Sequence, residues 1–124
     1  MQQLTKAEEQ IMQQLWEMGE GIVADIRDRF PDPKPARNTV STIIRILEQK
    51  EFVSHKAYGK TFVYFPLVSK TEYSKKQITN ILHNYFNNSF AGLTSFFAKE
   101  NNLSVQEIDE IMKTVKDEIN NTET

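Results

Sequence analysis

The stretch NTVSTIIRIL, residues 38–47, decides the fold because its two sides differ in chemistry. At helical spacing, one side is an apolar stripe made of Val40, Ile43, Ile44 and Leu47. The opposite side carries short amide and hydroxyl groups around one arginine, from Asn38, Ser41, Thr42 and Arg45. A helix face that only meets solvent usually carries paired Glu and Lys side chains. This face instead offers the compact donors and acceptors that a helix needs in the major groove of DNA.

Two shorter helical patterns precede this stretch. A capping box at residues 5–8 opens a first helix, which ends at Gly19 and Gly21. Residues 22–30 predict a short second helix with apolar residues at helical spacing. Three prolines in residues 31–36 predict a turn that leads into the helix that follows.

The pattern changes to strand after the quoted helix, which is expected to run to about Lys50. Residues 52–56 and 61–67 are rich in aromatic and β-branched side chains, and the bend between them contains Gly59. Two such runs around a glycine predict a β-hairpin. Three helices followed by a two-stranded wing is the order of a winged helix-turn-helix, in which the third helix reads the DNA.

The second half of the chain is helical again. A helical pattern begins after Thr71, residues 87–102 form a less regular segment, and a capping box at residues 104–107 opens a last helix. Apolar side chains in this half predict packing between two copies, and the candidates are Phe86, Phe90, Leu93, Phe97, Leu103, Ile108, Ile111, Met112 and Val115. We therefore expect a mostly α fold with a small β wing: a winged-helix DNA-binding domain at residues 1–70 and a helical dimerisation region at residues 71–124.

The predicted contacts with double-stranded DNA come from the third helix, its entry and the wing. They are Lys34, Arg37, Asn38, Thr39, Ser41, Thr42, Arg45, Lys56, Tyr58 and Lys60. A structural alternative stays open for both parts. The helix face could be solvated, with Arg45 paired to Glu48 or Glu51, and the wing lysines could serve to prevent edge-to-edge aggregation.

Charge is distributed unevenly along the chain. The formal net charge is −2, yet residues 27–76 hold eleven Lys or Arg against five acids, which gives +6. The segments on either side are each at −4. A basic middle between acidic ends concentrates the field on one anionic partner.

Composition excludes several classes of function. The chain of 124 residues has no cysteine, which excludes disulfides and cysteine–metal clusters. His55 and His83 are too few to predict a metal site, and neither a phosphate-binding glycine loop nor a nucleophile–base pair is present. No apolar run is long enough to span a membrane. We expect a cytoplasmic protein that is not an enzyme and needs no cofactor.

Three stretches carry a resemblance to a known family. LTKAEEQIMQQLW near the start, NTVSTIIRILEQKEFVSHKAYGKTFVY in the middle and LSVQEIDEIMKTVKDEI near the end resemble the penicillinase-repressor family, the BlaI/MecI type. The resemblance implies a homodimeric transcriptional repressor on an inverted-repeat operator. It also implies a regulatory protease that relieves repression by cutting the C-terminal region. A rival reading is a winged-helix protein-interaction module without sequence-specific DNA binding.

The sequence departs from the family pattern in several informative ways. The cleaved bond of the resistance repressors is Asn-Phe, and the matching position here is Phe96-Phe97, the candidate cleavage site. Glu51 stands where relatives usually have the glycine that ends the recognition helix. Copper-responsive members carry a C-terminal cysteine cluster, and this chain has no cysteine.

Overall fold

The computed structural model describes residues 2–123 and consists of helices with one two-stranded antiparallel sheet. The elements in chain order are α1 (Lys6–Met18), α2 (Val23–Asp28), α3 (Arg37–Gln49), β1 (Val53–Tyr58), β2 (Thr61–Pro66), α4 (Lys70–Tyr85), α5 (Phe90–Glu100) and α6 (Val105–Glu123). Three helices precede the hairpin and three follow it. The predicted fold class, mostly α with a β wing, is confirmed.

α1 begins with the capping box that its sequence predicts. The Thr5 hydroxyl accepts from the Glu8 amide at 3.2 Å, and the Glu8 carboxylate accepts from the Thr5 amide at 2.7 Å. The helix ends at Gly19, which has a φ of 83°, a conformation that glycine adopts at little cost. These two ends satisfy backbone groups that would otherwise lack partners.

The hydrophobic core lies where α1, α2, α3, the hairpin and the start of α4 meet. Its buried members are Leu4, Ile11, Met12, Leu15, Ile26, Val40, Ile44, Leu47, Phe52, Val53, Tyr64 and Tyr73. Val40, Ile44 and Leu47 are fully buried, so the apolar stripe of α3 faces this core. The opposite face of α3 must therefore point away from the core.

Hydrogen bonds join α1 and the loop after it to β2 and to the segment that follows β2. Gly21 exchanges two backbone hydrogen bonds with Tyr64, at 2.9 and 2.8 Å, which joins the loop after α1 to β2. The indole nitrogen of Trp16 donates to the Val68 carbonyl at 2.8 Å. The wing is thus held against the helices on the side of its buried strand residues.

The chain divides into two compact units, one up to Gln77 and one from Ile78. The first unit contains the whole core. In the second unit, no side chain among residues 78–122 is buried, although many are large and apolar. A helical unit without a core of its own leaves its apolar area in water.

Residues 87–102, expected to be a less regular segment, are mostly helical. Residues 90–100 form α5, and the Ser89 hydroxyl caps it by accepting from the Gly92 amide at 2.9 Å. Asn88 and Asn102 take positive φ values, 62° and 53°, next to the two helix ends. The asparagines therefore mark turns, because asparagine tolerates the left-handed region better than most residues.

Within the described part of the chain, no helix combines the length and the apolar character that crossing a membrane requires.

Candidate nucleic-acid interface

The exposed face of α3 presents the polar residues that its sequence predicts. Asn38, Thr42 and Arg45 are exposed, and Gln49 extends the same row by one turn. Thr39 is exposed at one border of this face, while Ser41 is half-buried at the other. The periodicity of the quoted stretch could have placed Gln49 among the candidate contacts, since it lies four residues after Arg45.

One member of this face spends part of its hydrogen-bonding capacity inside the helix. The Thr42 hydroxyl donates to the Asn38 carbonyl at 2.9 Å. Its oxygen remains a possible acceptor, whereas the Asn38 side-chain amide keeps both donors and acceptors available. A side-chain amide, which offers both a donor and an acceptor, can form two hydrogen bonds to the edge of one base.

Basic side chains from α2 and from the loop before α3 hold the start of α3 in place. Arg27 donates through Nε to the Pro35 carbonyl at 2.7 Å. The Lys34 ammonium donates to the carbonyls of Asp28 and Phe30, at 2.8 and 2.6 Å. Lys34 is half-buried and uses two of its three donors in this way, so one remains for a phosphate.

The wing ends in a two-residue turn, because Tyr58 pairs with Thr61 and only Gly59 and Lys60 lie between them. Gly59 has a φ of 63°, as such tight hairpin turns require. Lys60 therefore lies at the tip. Tyr58 is 61% exposed beside it.

Alternation along the strands places the remaining wing candidate on the outer face. Lys56 and Tyr58 share one face of the hairpin, and the Lys56 ammonium lies 5.4 Å from the centre of the Phe65 ring. His55 and Tyr64 are paired on the other face, where Tyr64 is buried against the helices. The structure thus brings Lys56, Tyr58 and Lys60 together at the outer end of the wing.

The basic residues of the middle segment divide into two groups. Some are spent on internal contacts: Arg29 pairs with Glu17 at 2.7 Å, and Lys50 pairs with Glu8 at 2.8 Å. Others are exposed and make no hydrogen bond or ion pair with any residue from 2 to 123, namely Arg37, Arg45, Lys56, Lys60, Lys70 and Lys76. The first four of these cations are among the predicted DNA contacts and remain available to an external anion.

Arg45 therefore has no partner in Glu48 or Glu51, the acids that the structural alternative named. Glu48 is bound by His55 of β1. Both Glu48 and Arg45 act on Tyr64: burial raises the pKa of that phenol, the Glu48 carboxylate raises it further, and the Arg45 guanidinium opposes both. The role of His55 could not be read from the sequence, because it depends on how the hairpin packs against α3.

Within residues 2–123, no three His, Asp or Glu side chains gather in a way that could hold a metal ion.

Comparison with known proteins gives one family. A model described as penicillinase repressor matches residues 4–117. The methicillin resistance regulatory protein MecI of Mammaliicoccus sciuri is 27% identical over 114 residues, which cover 88% of this chain and 89% of that protein. The penicillinase repressor of Bacillus licheniformis is 22% identical over 119 residues, covering 95% and 93%. A solved structure described as "CopR Repressor Structure" is 32% identical and covers 55% of this chain and all of that chain, with a TM-score of 0.46.

Proposed function

The chain belongs to the penicillinase-repressor family and is a DNA-binding transcriptional regulator of that type, and we propose that it represses as a homodimer on an inverted-repeat operator. The observation that carries this proposal is the exposed face of α3. Asn38 and Arg45 point away from the core, and Arg45 has no internal partner among the described residues. Amide and guanidinium groups on one helix face are the side chains that most often read adenine and guanine.

The wing and the entry to α3 supply the phosphate contacts in this proposal. Arg37 at the first turn of α3, Lys60 at the wing tip and Lys56 beside it are exposed cations. Contacts of this kind fix the register of a protein on the duplex without reading its sequence. We assign Tyr58 and Lys34 to the same role, with Thr39, Ser41 and Thr42 at the border between base and backbone contacts.

The second unit supplies the dimer interface in this proposal. Ile108, Ile111, Met112 and Val115 lie at helical spacing on α6 and remain 37 to 49% exposed in the single chain. Phe90 and Phe97 of α5 are 64% and 59% exposed, and Phe86, Leu93 and Leu103 are half-buried. A second copy would remove this apolar area from water, which supports dimerisation through the part of the predicted region 71–124 that follows Gln77. Residues 71–77 belong to the same compact unit as the predicted DNA-binding domain, residues 1–70.

We further propose that a regulatory protease ends repression by cutting at Phe96-Phe97. The two side chains are exposed on α5, at 55% and 59%. Cleavage there would separate α6 from the rest of the chain and remove the apolar stripe that holds the dimer. Each copy of the chain would then bind one half-site alone. The affinity gained by linking two copies, a factor of about 10²–10⁴, would be lost. In this proposal the repressor acts in the cytoplasm.

Four alanine variants and a salt titration test the DNA-binding proposal. Asn38→Ala and Arg45→Ala should change which bases are preferred, each at a cost of about 1–3 kcal/mol. Lys60→Ala should weaken binding to all duplexes to the same extent. It should also reduce the slope of log affinity against log salt concentration by about one unit. Lys6→Ala removes an exposed lysine outside the interface and should leave the affinity and its salt dependence unchanged. A chain that shows no sequence preference and no salt dependence is a protein-interaction module instead.

A further inference from the structure

The free guanidinium of Arg45 needs an explanation, because an acid lies one turn away on the same helix. Glu48 follows Arg45 by three residues, and side chains at that spacing are neighbours on a helix surface. The charges of both side chains act on Tyr64, where the Glu48 carboxylate raises the pKa of the phenol and the Arg45 guanidinium lowers it. An i,i+3 ion pair between them would be the ordinary outcome on an isolated helix.

In the structure, the Glu48 carboxylate is bound instead by His55 of the wing. Nδ1 of His55 and a carboxylate oxygen of Glu48 are 2.5 Å apart. An ionised carboxylate can only accept, so the imidazole donates this hydrogen bond. Both side chains are about one-third exposed, so the contact is partly shielded from water.

The wing fixes the imidazole in this orientation. The His55 ring stacks on Phe62 with ring centres 4.3 Å apart, and it lies 5.5 Å from the ring of Tyr64, its partner across the sheet. Tyr64 is itself buried against the helices. The imidazole is therefore held by β2 on one side and bonded to α3 on the other.

We propose that His55 is a positioning residue for DNA recognition: it holds the Glu48 carboxylate away from Arg45 and so keeps the guanidinium free to reach a base or phosphate. The inference rests on the proposed DNA-binding function. Without the imidazole N–H, Arg45 is the cation at neighbouring helical spacing to Glu48, because Lys50 lies on another face of α3 and is paired with Glu8. Arg45 would then have to break an ion pair before it could bind DNA, and the carboxylate would remain beside the phosphates.

Substitution to phenylalanine isolates the hydrogen bond, because it keeps an aromatic ring to stack on Phe62 but removes the donor. His55→Phe should weaken binding to the specific duplex about twofold, the effect expected when one exposed i,i+3 ion pair must be broken first. Glu48→Gln in the same chain should restore the affinity, because the carboxylate that captures Arg45 is gone. Glu48→Gln alone should bind at least as tightly as the unaltered protein.

A matched control removes the same charge at a position that is not a helical neighbour of Arg45. Glu51 lies six residues after Arg45, so Glu51→Gln combined with His55→Phe should restore little. Wild-type affinity in His55→Phe, or failure of Glu48→Gln to restore it, would overturn the inference. Equal restoration by Glu51→Gln would do the same, because general charge would then explain the effect.

A measurement on the DNA-free protein separates failure of this inference from failure of the proposed function. The nitrogen resonances of the Arg45 guanidinium should shift on Glu48→Gln only when His55→Phe is also present. If they shift equally in the unaltered background, His55 does not separate the two side chains. If the unaltered protein prefers no duplex sequence, the proposed function is wrong, and this spectroscopic result still decides the role of His55.

Discussion

Glu51 ends α3 in a conformation that glycine adopts more easily. Its φ is 66°, and the Phe52 amide that follows donates to the Leu47 carbonyl at 2.9 Å, so the turn geometry of a glycine cap is kept without the glycine. A non-glycine residue in the left-handed region costs roughly 1–2 kcal/mol. The departure from the family pattern is therefore a local strain and not a different helix end.

Glu51→Gly should raise the free energy of unfolding by about 1 kcal/mol, because glycine adopts this φ without strain. Part of the gain is offset because glycine gives the unfolded chain more conformational freedom. Chemical denaturation of the two proteins measures the difference. Glu51→Ala is the matched control, since alanine keeps a Cβ and should gain nothing. Equal stability of the glycine variant and the unaltered protein would contradict the strain.

Glu8 and Lys50 form a pair that joins the start of α1 to the end of α3. The Glu8 side chain is 4% exposed and that of Lys50 is 22% exposed. Burial opposes ionisation of Glu8, but hydrogen bonds from Lys50 and Thr5 outweigh burial and place the pKa of Glu8 below its ordinary value of 4.5. A group whose pKa is lowered on folding contributes stability above its unfolded pKa and loses that contribution as the pH falls through the folded value.

Lys50→Met should therefore lower the free energy of unfolding by about 1–3 kcal/mol at neutral pH, because the carboxylate loses a charged partner and keeps only its bonds to Thr5. The deficit should shrink as the pH falls below 4.5, where Glu8 becomes protonated in both proteins. Urea denaturation across the acid range measures this. Lys6→Met, at an exposed lysine, should show no such trend; a deficit in Lys50→Met that is constant with pH would speak against the pair.

At the scale of elements, the sequence predicts the helices and strands whose apolar residues recur at a constant spacing. α1, α3 and α6 have apolar stripes at helical spacing, and the hairpin alternates around a glycine turn, so all four are predicted. α5 is not predicted, because its flanking asparagines resemble a loop while they form turns at both ends of a helix. The contact between His55 and Glu48 also escapes prediction, since it joins a strand to a helix and needs the packed structure.

The helical state of α5 bears on its proposed cleavage. A protease needs an extended backbone, so the helix around Phe96-Phe97 must open before it is cut. Ser95→Gly should favour opening by about 1 kcal/mol relative to Ser95→Ala, because glycine is a poor helix former at an exposed position. Cleavage should then be about five times faster in the glycine variant, provided that opening is rapid compared with cutting.

Limited digestion with a protease that cuts after aromatic residues, followed by intact mass measurement, reports the rate at Phe96-Phe97. Ser95→Ala and Ser95→Gly form the matched pair, because both remove the same hydroxyl and differ only in helix propensity. Equal rates in the two variants would mean that opening of α5 does not limit cleavage.

At the scale of the whole molecule, the unburied apolar side chains of α6 predict self-association. Ile111 is 49% exposed in the middle of the stripe. Ile111→Asp places a charge there and should dissociate the proposed dimer at micromolar concentration, because an unpaired charge is costly in a buried interface. Sedimentation equilibrium measures the mass. Lys113→Asp adds the same carboxylate on another side of α6 and should leave the mass unchanged; a monomer for the unaltered protein would refute the dimer.

The central claim is that this chain reads DNA sequence through α3 as a pair of copies, and selection from random duplexes tests it most directly. Full-length protein is mixed with a pool of random double-stranded DNA near physiological salt, and the bound duplexes are sequenced. We predict enrichment of an inverted repeat whose half-site centres lie one helical turn, about 10 base pairs, or a multiple of it apart. Arg45→Ala should change the enriched bases within each half-site. A bound pool without any enriched sequence would contradict the account.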